Sequence, residues 1–126
     1  MDASTEHMLR RIAEKRREKT VERQIQIRER KKRAAGEIER LTGLFRKADA
    51  DLERVILFGS LAEDRVTSLA FDIDLAVDCT PEAYLRLVTI GLDSGFKVDV
   101  VELATASPPL KHAILEHGKV IWTRTV

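Results

Sequence analysis

Apolar and polar positions alternate in three different ways along the chain. Residues 5–33 carry only a thin apolar stripe, Met8, Ile12, Val21 and Ile25, among Glu, Arg, Lys and Gln. These are good helix formers, and no Gly or Pro interrupts them. The pattern predicts a helix that projects, pairs with another chain or frays, since so thin a stripe cannot anchor it. Glu29 and Arg33 stand four apart, a spacing that supports a helix. No heptad is sustained long enough for a coiled coil. Residues 34–48 predict a second, better amphipathic helix, with Ala34, Ile38, Leu41, Phe45 and Ala48 at three- and four-residue spacing.

Short β-branched runs then take over. Val55–Phe58 reads as a buried strand ending at Gly59-Ser60. Ser60 and Glu63 have the spacing of a capping box, which predicts a short helix starting there. A polar linker, 64–71, leads to a strand over 72–78. Thr80-Pro81 predicts a helix start, with Ala83, Leu87, Val88 and Ile90 or Gly91 facing inward. A third strand spans 97–103, with Val98 and Val100 on one face and Asp99, Val101 and Leu103 on the other. Ser107-Pro108-Pro109 opens a helix that Gly118 closes, and 119–123 is a last strand. The fold class is therefore α/β or α+β: a small mixed sheet flanked by helices, with a long basic N-terminal helix. The 58–72 connection is too short for a crossover helix, which makes those two strands antiparallel.

Composition adds three points. The 126 residues suit one domain with a modest aliphatic core, being 44% hydrophobic and 5% aromatic. Cys79 is the only cysteine, so no internal disulfide forms, in keeping with a reducing cytoplasm. No apolar run spans a bilayer, and the N-terminus is too charged for a signal peptide. Charge divides the chain. Residues 1–33 hold 12 Lys/Arg against 6 Asp/Glu, and residues 34–126 hold 10 against 15. A basic arm, 1–33, is joined to an acidic body, 34–126. Such an arm suits a solvated helix, an acidic partner, a second copy of the chain or nucleic acid.

The chemistry-bearing residues lie in the body. Asp72 and Asp74 alternate on one face of a strand otherwise apolar, and Asp99 interrupts a neighbouring apolar run. An Asp in such a run is costly to bury without a partner. If the three strands are adjacent, the carboxylates converge beside the Gly59-Ser60 turn. Unpartnered, they repel one another; a hard divalent cation relieves this. A helix N-terminus preceded by glycine suits phosphate. Together these features point to phosphoryl or nucleotidyl transfer. No rival constellation is visible. His7 is remote, His112 and His117 point about 140° apart on a helix, and Cys79, Tyr84 and Trp122 read as packing residues.

Residues 38–123 resemble the minimal nucleotidyltransferase (MNT) domains of the DNA polymerase beta superfamily. The likeness is carried by Leu57-Phe58-Gly59-Ser60-Leu61-Ala62-Glu63, Asp72-Ile73-Asp74-Leu75-Ala76-Val77 and Lys97-Val98-Asp99-Val100-Val101. The spacer Leu61–Phe71 is one residue longer than usual in that family. Phe71 stands where Ser is usual before the first Asp, and Asp64 where Gly is common. The resemblance implies ATP as substrate with Mg²⁺, Gly59 and Ser60 binding nucleotide, and Asp72, Asp74 and Asp99 as metal-binding and catalytic residues. It also implies a role as antitoxin to a HEPN-domain toxin, transferring AMP to a toxin tyrosine. The alternative is a non-catalytic binding antitoxin that keeps the fold. Larger members of that superfamily carry an extra helical domain, for which these 126 residues are expected to be too short, so the acceptor surface is expected from a partner, a second copy or the N-terminal helices.

Overall fold

The computed structural model describes residues 2–124; the end of the expected body at 125–126 lies outside them. The N-terminal half differs from expectation. One unbroken helix, α1 (Ala3–Ala48), replaces the two expected from sequence. Gly36 and Gly43 weaken it only slightly, at up to about 1 kcal/mol each. Burial of Ala34, Ile38, Leu41 and Phe45 outweighs that, at roughly 1.5–3 kcal/mol for each large side chain. Asp2 caps the start, its Oδ1 accepting from the Thr5 amide at 2.8 Å. Before residue 27 every described residue is exposed, Val21 and Ile25 at 55% each. At about 1.5 Å per residue, the helix extends about 35 Å beyond the body. Glu29 pairs with Lys32 at 3.5 Å, not with Arg33.

The body follows in order as β1 (Arg54–Phe58), α2 (Gly59–Ala62), β2 (Ile73–Asp78), α3 (Tyr84–Leu92), β3 (Val98–Glu102), a 3₁₀ turn (Leu103–Thr105), α4 (Pro108–His117) and β4 (Lys119–Thr123). The sheet order is β3-β2-β1-β4. β1 is antiparallel to β2, as its short connection requires, and to β4; β2 and β3 are parallel. One face packs Val55, Leu57, Ile73, Leu75, Val77 and Val98 under α1 and α3. The other sets Ile56 and Ala76 against Leu103 of the 3₁₀ turn and Ile114 of α4.

Two expected caps are replaced. α2 begins at Gly59 with Phe58 in the N-cap position and no side-chain cap. Ser60 therefore lies inside the helix, and Glu63 pairs with Arg65 at 2.9 Å, so no capping box forms. α3 starts at Tyr84, because the Thr80 amide donates to Asp49 Oδ2 (2.9 Å) and residues 80–84 are taken up in turns. Asp49 itself is buried; its Oδ1 accepts from the Asp51 amide at 3.0 Å, closing α1. Ser107 caps α4 as the sequence predicts. Among the described residues, no helix is long and apolar enough to cross a membrane.

Candidate active site

Strand register gathers the three aspartates. Asp74 on β2 lies beside Asp99 on β3, and Asp72 stands two residues before Asp74 on the same face. One carboxylate oxygen from each falls within 4.8 Å of the others. Asp99 is exposed, while Asp72 and Asp74 are half-buried. This crowding falls mainly on Asp74, whose carboxyl is pushed up to about 6. Burial contributes most, then the charges of Asp99 and Asp72 and a hydrogen bond with Asp99; Lys97 opposes them. A three-carboxylate oxygen set on which charge is disfavoured fits a hard divalent cation.

The turn after β1 completes the geometry. Phe58 pairs with Asp74 across the ladder, so Gly59 comes directly against the Asp74 side chain. Gly59 has φ +79°, a conformation that favours glycine. A Cβ there would overlap Asp74 Oδ2 and lie 3.2 Å from its Cγ. Ser60 follows, half-buried in the first turn of α2, where backbone N–H groups lack intrahelical partners. Asp64, in the linker, is the one described non-glycine residue with positive φ, at 54°. Asp tolerates that conformation better than most residues.

Lys97 belongs to this site and was not singled out from the sequence. It lies 3.6 Å from Asp72 Oδ2. The signal was present, since Lys97 is two residues from Asp99 and shares its face. A concavity of about 640 Å³ lies elsewhere, lined by Arg46, Lys47, Trp122 and Arg124. Its two arginines are engaged: Arg46 sits 4.7 Å from the Trp122 ring centroid, and Arg124 donates to the Ala50 and Leu52 carbonyls. Asp49 also lines it, with its two carboxylate oxygens accepting from the Asp51 and Thr80 amides. His112 and His117 are exposed, and Tyr84 donates its hydroxyl to the Val100 carbonyl at 2.8 Å.

Comparison with known proteins agrees with this geometry. The family model "Polymerase beta, Nucleotidyltransferase" matches residues 39–125. Among solved structures, the chain is similar to a toxin–antitoxin complex with AMP-PNP, at 26% identity and a TM-score of 0.57, covering 69% of this chain and 73% of that one. It is also similar to a chain from Shewanella oneidensis tri-AMPylated HEPN toxin in complex with MNT antitoxin, at 25% identity and a TM-score of 0.52, covering 75% and 73%. A third similarity is to the toxin–antitoxin MntA–HepT, at 25% identity and a TM-score of 0.51, covering 68% and 69%. No curated protein sequence matches the chain.

Proposed function

The chain belongs to the polymerase beta nucleotidyltransferase family, and from that premise we propose that it transfers AMP from ATP to a tyrosine hydroxyl of a HEPN-type toxin, acting as the antitoxin. The observation that carries the reading is the convergence of Asp72, Asp74 and Asp99 beside the Gly59 turn. The similar complexes, one holding AMP-PNP and one an AMPylated HEPN toxin, support the choice of nucleotide and partner. The transferase unit is residues 34–126, and residues 1–33 form its arm.

In this mechanism Gly59 lets the backbone pass close to the substrate, and the Ser60 hydroxyl and first-turn amides of α2 hold the triphosphate. Asp72, Asp74 and Asp99 would hold Mg²⁺, which when bound offsets phosphate charge. Asp99, the exposed member, faces the acceptor and takes the tyrosine proton. The phenolate oxygen forms a bond to the α-phosphorus, the bond from that phosphorus to the bridging oxygen breaks, and pyrophosphate leaves. Lys97 steadies Asp72 and leaves Asp74 and Asp99 free to meet substrate.

Incubation with α-labelled ATP and Mg²⁺, alone and with a HEPN partner, tests this directly. Label on the partner, lost in Asp72→Ala/Asp74→Ala, is expected. A stable complex without label, unaffected by that mutation, would make the protein a binding antitoxin only.

A further inference from the structure

One turn of the long helix, outside the matched family region, packs on residues that flank the site. Arg30 is one turn before Ala34, so it continues the buried stripe of α1 as a cation. Its guanidinium lies 4.6 Å from the Phe96 ring centroid and 5.6 Å from that of Phe71. The two rings are 6.3 Å apart and tilted at 38°. Its Nε is buried and makes no hydrogen bond, so the aromatic faces are the group's main partners there. Phe71 directly precedes Asp72, and Phe96 directly precedes Lys97, the cation beside Asp72. The next residue, Lys31, donates to Asp64 Oδ1 at 2.6 Å and so reaches the linker between Ser60 and Asp72. Two turns on, Glu37 accepts from Ser94 Oγ, whose oxygen in turn accepts from the Phe96 amide at 3.1 Å.

We infer that the Arg30–Lys31 turn of α1 is a positioning clamp for the carboxylate site. Arg30 gathers Phe71 and Phe96, and this sets where Asp72 and Lys97 enter the site. Lys31 adds a weaker, exposed tie on the linker. Neither residue touches substrate; both act through others. The inference rests on the reading of Asp72, Asp74 and Asp99 as a metal site, but its structural half does not depend on metal.

The test uses the full chain, with hydrogen exchange and Mn²⁺ binding followed by electron paramagnetic resonance. In Arg30→Ala, exchange over residues 63–72 is expected to speed up about tenfold, with β1 and α4 unchanged. Mn²⁺ affinity should fall about tenfold, the usual scale for loss of a ligand's support. Arg30→Lys keeps a cation over the rings and should restore most of both. Lys31→Ala should loosen 63–66 while leaving Mn²⁺ affinity within about twofold. If Arg30→Ala does not fold, Phe96→Leu removes a ring at similar bulk and carries the same expectation. Wild-type exchange and Mn²⁺ affinity in Arg30→Ala and in Phe96→Leu would overturn the clamp. So would exchange that rises evenly across the body, which marks a merely structural role. A wild-type protein that binds no Mn²⁺ would refute the metal site instead, and exchange over 63–72 would still decide the clamp.

Discussion

Asp74→Asn isolates the electrostatic cost of the site with little change of shape. The wild-type carboxyl is raised from 3.8 to about 6, chiefly by burial and then by Asp99 and Asp72. Without solvent screening this shift corresponds to roughly 3 kcal/mol against folding when the group is ionised. Asp74 is only half-buried, so solvent screening reduces it to about 1 kcal/mol. The native state binds the proton more tightly than the unfolded chain. Stability is therefore highest below pH 4 as far as this group is concerned, and falls as pH rises through about 6. The amide carries no charge, so metal-free Asp74→Asn should be about 1 kcal/mol more stable than wild type at pH 7, or about 4 °C in Tm. Its advantage should vanish by pH 4. Added divalent cation should stabilise wild type at pH 7 and leave the variant unmoved. Urea unfolding followed by circular dichroism from pH 4 to 8, with and without Mg²⁺, measures each of these. A metal-free variant less stable than wild type at pH 7 would refute the reasoning and make Asp74 a structural residue.

Three further substitutions test separate parts of the fold. Gly59→Ala should cost about 1–3 kcal/mol from its left-handed backbone and displace Asp74, abolishing both metal stabilisation and transfer; metal-dependent melting checks this. Asp49→Ala leaves the Thr80 and Asp51 amides without their acceptor and should cost about 1–3 kcal/mol in urea unfolding, with Mn²⁺ affinity unchanged. Gly36→Ala adds a Cβ that meets no atom within 4 Å and should raise stability by about 0.5–1 kcal/mol in the same assay.

The sheet and its carboxylates were legible because both follow from alternation. Asp72 and Asp74 share a face by strand period, and Asp99 joins them once β2 and β3 are neighbours. The distribution of strain within the trio was not legible. A sequence shows Asp99 inside an apolar run, yet the structure leaves it exposed and crowds Asp74. That difference depends on how Gly59 and Phe58 close over β2, which strand period does not specify. The single helix was hidden for a related reason. The apolar stripe thins before Ala34, which divides the pattern there, but the stripe continues one turn further through Arg30. A cation does not register in a hydrophobic pattern even when its partners are aromatic rings.

The linker shows how local departures and distant contacts form one arrangement. Phe71 and Asp64 are two positions at which the chain differs from the motif it resembles, and both meet α1, through Arg30 and Lys31. A longer, more apolar linker needs a surface to order it, and the helix provides one: an aromatic contact beside Asp72 and an ion pair beside Glu63. The ion pair is exposed and weak, worth at most about 1 kcal/mol. The aromatic contact is sheltered, with Phe71 itself buried, and therefore dominates. Order in the linker should then persist at high salt, which screens exposed Lys31 and Asp64 more than the sheltered Arg30 over its rings. The basic arm and the acidic body are thus joined beside the site by packing more than by their opposite charges.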